Sequence, residues 1–179
     1  MKLDLKEIYN DYLTEIELTN KLDYKKKNPN KYYRASAAGH CFKKHWYSIN
    51  GYEGASTGDD RSKRLLRLGT IVHKDIEKAI DWYNNKILFD LSSEYDVSFH
   101  TEYNVLIEEL NVMGSADIVL LDSEKTASIL DIKTTHSYKW KMMFGKNNDP
   151  HPSRMYELQL GTYALGVCNQ ENVNPDSIS

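Results

Sequence analysis

The stretch VMGSADIVLLDSEKTASILDIKTT, residues 112–135, decides the fold that this sequence predicts. It contains two apolar runs, 112–121 and 127–134, rich in the β-branched residues that are typical of strands. The polar turn between them is short, so the two strands must be antiparallel neighbours. A third strand pattern precedes them at 98–108. The sequence therefore predicts an antiparallel three-strand meander.

Charged residues interrupt these strands at Asp117, Asp131 and Lys133. Successive residues of a strand point to opposite faces, so Asp131 and Lys133 share a face while Ile132 points to the core. If the strands pair, Asp117 and Asp131 approach each other, and two such carboxylates repel unless a cation lies between them. The hard ion that oxygen ligands favour is Mg²⁺ or Mn²⁺. Lys133 would then orient the attacking water or neutralise charge on a scissile phosphate.

Two other interpretations fit the same charged residues. In the first, Asp117 pairs with an arginine of a helix and Asp131 pairs with Lys133 as purely structural ion pairs. In the second, the two carboxylates belong to a glycosidase. The neighbouring lysine and a basic segment earlier in the chain suit a phosphate better than a sugar.

Four helices are predicted around the meander. They cover 3–20, 36–49 with Ser36 as its N-cap, 61–84 and 153–167. The core stripe expected for the third helix is Leu65, Leu68, Val72, Ile76 and Ile80. Gly69 would let this helix approach the sheet closely. Residues 138–152 are expected to be a loop because of their prolines, and 169–179 show no pattern of regular structure.

Two polar pairs on these helices fit the same chemistry. His73 and Glu77 are one helical turn apart; the imidazole would suit Mn²⁺-like ions, and Glu77 would orient it or help to hold the ion. Gln159 and Tyr163 are also four residues apart and would hold a phosphate or position Lys133. Each pair also has a purely structural interpretation. His73 would be a structural histidine, and Gln159 and Tyr163 would be a polar helix edge with a core tyrosine.

Charge is unevenly distributed along the chain. The formal net charge is −3, but residues 21–70 hold twelve Lys/Arg against four Asp/Glu, and the remainder is acidic. A positive region beside an acidic one is typical of a groove that binds phosphates next to a metal-binding carboxylate cluster. Basic and aromatic residues interleave over 34–47, although a solvated basic surface would also explain them. The candidate DNA contacts are Arg34, Ser36, Lys43 and Lys44.

Membrane-spanning and disulfide-stabilised classes are disfavoured. No run approaches the roughly 18 apolar residues that span a bilayer. The N-terminal residues lack a secretory apolar core, so residence in the cytoplasm is expected. Cys41 and Cys168 are the only cysteines, which leaves no disulfide framework and no four-cysteine metal site within this chain.

Taken together, these segments resemble the PD-(D/E)XK nuclease superfamily and, within it, the RecB-like exonucleases, which include CRISPR-associated adaptation nucleases and phage relatives. The matching pieces, in the family's order, are Gly69-x-x-x-His73, Gly114-x-x-Asp117, Asp131-Ile132-Lys133 and Gln159-x-x-x-Tyr163. Segment 34–47 is similar to the segment that precedes them in that group. One such motif is a weak signal, whereas four in order are specific.

The resemblance implies a fold. It predicts an α/β restriction-endonuclease-like core over 61–179, in which a central mixed sheet with the antiparallel meander is flanked by helices. Residues 1–60 would form an N-terminal helical, basic, DNA-contacting extension packed on that core. The family core usually adds a strand after the Gln/Tyr helix, and no strand pattern follows that helix here.

The resemblance also implies roles for single residues. The expected ligands of Mg²⁺ or Mn²⁺ are His73, Asp117, Asp131 and the backbone carbonyl of Ile132. Lys133 would be the catalytic lysine, supported by Gln159 and Tyr163. Position 131 is Asp where many relatives have Glu, so the ion would shift. Iron–sulfur members use four cysteines; only Cys41 falls at a comparable place, so no cluster is expected.

The predicted function is therefore a metal-dependent DNA nuclease. We expect an exonuclease of bacterial or phage origin that acts on DNA ends or single strands and hydrolyses phosphodiester bonds with a metal-activated water. The alternative is a catalytically inactive module that keeps the nuclease fold to bind nucleic acid or a partner. The complete set of two aspartates and a lysine favours the nuclease, because carboxylates beside DNA phosphates would only repel a bound strand.

Overall fold

One long strand organises the α/β fold seen in the computed structural model, which describes residues 5–52, 59–89, 97–135, 137–145 and 150–179. The helices are α1 (Leu5–Lys27), α2 (Phe42–Ile49), α3 (Asp60–Phe89), α4 (Ser137–Phe144) and α5 (Pro150–Glu171). The strands are β1 (Tyr33–Arg34), β2 (Val97–Ile107), β3 (Val112–Asp122) and β4 (Ala127–Leu130). Short 3₁₀ turns cover Ala35–Ala37, Glu108–Leu110 and Pro175–Ser177.

β3 is the long strand, and β2 pairs antiparallel with it from Val97↔Asp122 to Ile107↔Val112, except at Glu102. β4 also pairs antiparallel with β3, which confirms the predicted meander. β1 pairs parallel with β3, so the four-stranded sheet is mixed, as predicted, and helices flank it. The more specific restriction-endonuclease-like core stays a prediction.

The edge of β3 that faces away from β2 is shared by two short strands. β1 covers this edge at Val112 and Met113, and β4 covers it from Ile118 to Leu121. Within the described part of the chain, no strand pairs with residues 114–117 along this edge; β2 pairs with 114–116 only on the opposite edge. The Ala35–Ala37 turn packs there instead, so closely that a Cβ on Gly114 would lie 2.7 Å from Ala35 Cβ. This break in the pairing, here called the edge gap, contains Asp117.

The hydrophobic core lies between the sheet and α5. Its largest fully buried side chains are Ile107, Val105, Val119 and Val167. Gly166 of α5 packs against Val105 so tightly that an added Cβ would overlap the valine Cγ1. The β-branched alternation that predicts the strands therefore supplies one side of the core, and α5 supplies the other.

α3 is longer than predicted, and its later turns reach β2, where Asn84 Nδ2 donates to Phe99 O at 3.0 Å. It packs against β2 and against α1. Its first turns meet α1 through polar contacts, since Arg64 Nη1 donates to Asn10 Oδ1 at 2.7 Å. Leu65 and Leu68 are consequently exposed, and their prediction as core residues was wrong. The later members of that stripe are half-buried. Gly69 approaches the segment that follows β4, and not a strand, because an added Cβ would lie 2.9 Å from Thr134 Oγ1.

Two boundaries near the N-terminus differ from the predictions. Ser36 does not cap a helix, since it lies inside the Ala35–Ala37 turn and α2 begins only at Phe42, after Cys41, without a side-chain cap. The turn forms because residues 35–37 fill the edge gap rather than propagate a helix. α1 extends past its predicted end to Lys27, and residues 1–4 lie outside the described residues.

Three further boundaries differ in the second half of the chain. The predicted loop 138–152 contains most of α4 and the start of α5, which begins at Pro150; prolines are tolerated in a first helical turn, where the missing N–H is not needed. Residues 146–149 of that loop lie outside the described residues. β4 ends at Leu130, so Asp131 and Lys133 follow the strand instead of lying in it.

The C-terminal segment is structured, contrary to the prediction for 169–179. Ile178 forms a parallel bridge with Ala127, and Ser179 N donates to Ala127 O at 3.0 Å. A backbone stretch of two residues thus pairs with the outer edge of β4. Polar composition concealed this pairing because backbone groups, and not side chains, carry it. Among the helices within the described ranges, none is both long and apolar enough to cross a bilayer.

Candidate functional site

The two aspartates meet at the edge gap. The pairing of β3 with β4 ends at Ile118↔Leu130, so the next register position sets Asp117 opposite Asp131. The chain leaves the strand here, and Ile132 N donates to Asp117 Oδ2 at 2.7 Å. That bond uses the amide of Ile132; ligation of a metal by its carbonyl stays a prediction.

Burial makes this pair electrostatically unfavourable. The side chains of Asp117 and Asp131 are only 17% and 6% exposed. Burial, together with the charge of Asp131, raises the pKa of Asp117, and the Ile132 amide, His73 and Lys133 oppose that rise. An acid whose anion is disfavoured in this way is typical of a site that a cation completes, although structural networks also perturb pKa values.

Asp131 is held on both of its oxygens. Lys133 Nζ lies 2.7 Å from Oδ2, and Gln159 Nε2 donates to Oδ1 at 3.0 Å. Gln159 Nε2 also lies 3.2 Å from the hydroxyl oxygen of Tyr163, whose pKa burial raises to about 12. The sequence motifs around Asp131, Lys133, Gln159 and Tyr163 are thus brought into one hydrogen-bonded group.

α3 contributes the opposite side of the site. His73 Nδ1 lies 3.7 Å from Asp117 Oδ1. Glu77, one turn further along, is half-buried, and burial followed by the charge of Glu102 raises its pKa. Asp117 therefore meets a histidine instead of the arginine that the structural interpretation expected, whereas the Asp131–Lys133 pair of that interpretation is present.

Glu102 is a residue of the site that the sequence patterns missed. The register of β2 with β3 sets it opposite Asp117, and it has a φ of 48°, which is rare for a residue with a side chain. Ser115 Oγ donates to Glu102 Oε2 at 2.7 Å. The available signal was that Glu102 is the single acid in an otherwise neutral strand sequence.

Tyr156 is a second missed residue. The ammonium groups of Lys133 and Lys139 lie 5.7 and 5.3 Å from the centre of its ring, and Lys139 Nζ donates to its hydroxyl at 2.8 Å. The Lys133 distance is within cation–π range, so the ring helps to hold Lys133, whereas Lys139 is engaged by the hydroxyl at the edge of the ring. Its signal in the sequence was the spacing of three residues before Gln159, which puts both on one helix face.

A cleft of about 1270 Å³ lies between α1, α3 and the edge gap. The site residues that line it are His73, Glu77, Glu102, Asp117, Asp131, Lys133, Gln159 and Tyr163, whereas Tyr156 lies behind Lys133, outside the lining. Lys21, Tyr24 and Lys27 of α1 face into it, as does Arg34, whose guanidinium lies 3.8 Å from the centre of the Tyr24 ring. The cleft therefore has a mainly basic wall, in which Glu17 pairs with Lys21 at 2.8 Å, and a mainly acidic wall, which also includes Lys74. Of the four candidate DNA contacts, Arg34 and Ser36 line it, whereas Lys43 and Lys44 lie outside it on α2.

The chemical type of the ligand atoms suits a hard divalent cation, since carboxylate oxygens and an imidazole lie on one wall of the cleft. As arranged, however, no three His, Cys, Asp or Glu side chains among the described residues converge on one point. Lys133 and Gln159 engage both oxygens of Asp131, and the Ile132 amide engages one oxygen of Asp117. Each carboxylate oxygen keeps a second lone pair, which an ion could use.

Comparison with known proteins adds no family to this description. No protein-family model, no curated protein and no solved structure matches the chain.

Proposed function

We propose that this chain is a divalent-metal-dependent DNA nuclease. The observation that carries the proposal is the meeting of Asp117 and Asp131 at the edge gap, with His73 and Lys133 beside them. Burial of two like charges in contact with both a lysine and a histidine is costly for a merely structural site. The resemblance to RecB-like exonucleases, carried by the same residues, supports the same conclusion.

The residues that would hold Mg²⁺ or Mn²⁺ are Asp117, Asp131 and His73, with the carbonyl of Ile132 as a further ligand. When bound, such an ion supplies a Lewis acid that stabilises the charge of phosphodiester hydrolysis. Lys133 lies beside Asp131, from where its ammonium would donate to a non-bridging phosphate oxygen as negative charge grows there. Gln159 and Tyr163 fix the carboxylate of Asp131 and so the position of that lysine.

The substrate that suits the cleft is a nucleic-acid strand. The basic wall formed by Lys21, Lys27 and Arg34 lies in the same cleft as the acidic residues. Cations along one wall would hold the phosphate backbone, and the acids on the other would hold the metal. We propose DNA ends or single strands as the substrate and exonucleolytic cleavage as the reaction, in line with the resemblance.

The test is Asp131→Asn, which keeps the shape of the side chain and removes its charge. Purified protein is incubated with end-labelled linear DNA and circular single-stranded DNA in Mn²⁺, with EDTA in a parallel reaction. We expect the native chain to degrade the linear DNA and to spare the circles. Asp131→Asn should lower the rate on the order of 10³-fold, since a metal ligand contributes several kcal/mol of barrier reduction.

Glu124→Gln is the matched control, because it removes one negative charge from the exposed turn between β3 and β4. It should cleave like the native chain. Cleavage by Asp131→Asn at the native rate would contradict the proposal, as would a native chain that leaves every DNA intact in Mn²⁺ and Mg²⁺.

The second candidate is a binding module without turnover. The specific observation in its favour is the ion pair between Lys133 and Asp131, whose charged atoms are 2.7 Å apart. This pair neutralises the carboxylate within the chain, without a metal ion. Calorimetry with Mn²⁺ separates the two functions when it is combined with the cleavage assay. The nuclease binds the ion and cleaves DNA, whereas the module binds DNA and leaves it intact.

A further inference from the structure

Three aromatic rings form an exposed cluster at the end of α2. Trp46, Tyr47 and Tyr52 have ring centres 5.2 to 6.0 Å apart, and Trp46 and Tyr52 are stacked with an angle of 23° between their planes. Their exposed fractions are 42%, 40% and 61%. We call these three residues the aromatic platform.

The backbone holds the platform in a fixed geometry. Gly51 has a φ of 83°, Tyr52 N donates to Tyr47 O at 3.0 Å, and Gly51 N donates to Ser48 O at 3.2 Å. These two bonds form the Schellman arrangement that ends a helix, and its usual hydrophobic contact explains why Tyr52 touches Tyr47. The cap does not explain why Trp46 extends the surface or why the rings face solvent.

The aromatic platform is not part of the hydrophobic core. All eight residues of α2 are described, and none of them is buried. The helix is attached to the fold at its other end, where the rings of Phe42 and Tyr33 are 5.1 Å apart. Large exposed rings in one cluster mark an interaction surface.

The charge beside the platform indicates the partner. α2 carries Lys43 and Lys44 and no acidic residue, and Lys43 Nζ lies 5.9 Å from the centre of the Tyr47 ring. Flat apolar rings with adjacent cations complement a partner that has flat bases and anionic phosphates. The attachment of α2 through Tyr33, the residue before Arg34, also connects the platform to the wall of the cleft.

We propose that Trp46, Tyr47 and Tyr52 stack the unpaired bases of a single-stranded nucleic acid outside the cleft, with Lys43 and Lys44 on its phosphates. The inference deepens the proposed function, on which it rests for the identification of DNA as the substrate. It assigns the chain a preference for substrates with a single-stranded segment beyond the cleavage site, because a base-paired strand keeps its bases stacked within the duplex and unavailable to the rings.

The test compares two strands of equal length, a labelled oligothymidylate and an abasic oligonucleotide that has the same phosphates without bases. Binding is measured in EDTA by fluorescence anisotropy, so no cleavage occurs and the result does not depend on nuclease activity. The native chain should bind the oligothymidylate at least about tenfold more tightly, which is the usual effect of stacking one base on an aromatic side chain.

Trp46→Ala should bind the oligothymidylate about tenfold more weakly than the native chain does and should bind the abasic strand with unchanged affinity. Trp82→Ala is the matched control, because Trp82 is exposed on α3 and has a lysine, Lys86, 5.5 Å from its ring centre, but lies outside the platform. It should bind both strands as the native chain does.

A second measurement does not depend on removing a platform residue. In a Trp82→Phe, Trp140→Phe variant, Trp46 is the single remaining tryptophan. Its fluorescence should be quenched by the oligothymidylate and not by the abasic strand. Equal affinity of the native chain for both strands, or no binding of either, would overturn the proposal. If the native chain binds as expected but does not cleave, the platform stands and the nuclease proposal fails.

Discussion

Asp117 lies in surroundings that disfavour its own charge. Burial is the largest cause, and Asp131 adds a like charge, so the pKa of Asp117 is raised. A folded-state pKa above the unfolded value means that the protonated acid favours folding. This stability is present in full below the unfolded pKa and is lost as the pH rises through the folded one. At neutral pH the fold therefore carries an acid that weakens it.

Asp117→Asn should raise the melting temperature at neutral pH in EDTA, because the amide keeps an acceptor for the Ile132 N–H and removes the charge. The gain should disappear in acid, where Asp117 is protonated. Melting curves across a pH series measure both effects. A variant that melts below the native chain at neutral pH would contradict this account.

Asp122→Asn is the control of opposite sign. Hydrogen bonds from the side chain and backbone of Thr126 lower the pKa of Asp122. Its carboxylate therefore stabilises the fold above the unfolded pKa, and that contribution is lost as the pH falls through the folded value. The variant should melt below the native chain at neutral pH and approach it in acid.

Tyr156 offers a prediction about the position of Lys133. Tyr156→Leu should lower cleavage by about tenfold, since a cation–π contact is worth about 1 kcal/mol or more where water is limited. Tyr156→Phe keeps the ring and should keep most of the activity, although it loses the bond from Lys139. Rates of single-turnover cleavage with saturating Mn²⁺ make the comparison, and equal loss in both variants would assign the effect to the hydroxyl.

Sequence patterns identify some of these residues and miss others for physical reasons. Asp117, Asp131 and Lys133 were identifiable because charges interrupt apolar runs. Glu102 was missed because its importance depends on the register between β2 and β3 and on a positive φ, neither of which composition reveals. Tyr156 was missed because a helical tyrosine is ordinary until its neighbouring lysines are known.

Among the elements, α5 has the strictest packing requirement. Gly166 meets Val105 of β2, so Gly166→Ala should destabilise the fold by about 1–3 kcal/mol through overpacking. Gly161 of the same helix has nothing within 4 Å of an added Cβ, so Gly161→Ala should stabilise by about 0.5–1 kcal/mol through helix propensity. Urea denaturation of the two variants tests both signs, and similar effects in both would show that α5 is not packed on β2 as described.

The elements that were predicted well are those with strong periodicity. The meander follows from apolar alternation and short turns, and its β2–β3 pairing has the expected antiparallel register. α4 was missed because the prolines after it favour a loop, although Pro150 begins the next helix. Ser36 was assigned to a helix because serine is a common N-cap, whereas packing against Gly114 decides the conformation of that segment.

For the whole molecule, the C-terminal segment closes one edge of the sheet. Ile129 N donates to Ser179 O at 3.0 Å, and Ser179 N donates to Ala127 O at the same distance. Removal of residues 175–179 should therefore destabilise the fold by about 1–3 kcal/mol, from two hydrogen bonds of about 0.5–1.5 kcal/mol each. Hydrogen exchange at the Ile129 amide should accelerate, while that of a β2–β3 amide such as Val105 should change less. Unchanged protection at Ile129 would argue against the pairing.

For the whole molecule, the sequence showed that basic and acidic residues are separated along the chain, but not which of the basic residues line the cleft. The excess of Lys and Arg over 21–70 corresponds to a cleft whose basic wall comes from α1 and Arg34. Counting charges cannot show that Lys43 and Lys44 lie outside that cleft. These lysines follow Arg34 closely in sequence, and it is the turn between β1 and α2 that directs them to a different surface.

The two edges of β3 have different partners. β2 pairs with one side along nearly its whole length, with a break at Glu102, and anchors the core, whereas β1 and β4 each cover only a few residues of the other side and leave the edge gap between them. The first residue after each short strand is fixed, because the buried Ala35 packs on Gly114 and Asp131 is bound by Lys133 and Gln159, so changes of loop length are tolerated only further along each segment. A designer who wishes to alter what this scaffold accepts should graft new loops beyond Ala37 and beyond Lys133 and leave the β2 flank untouched.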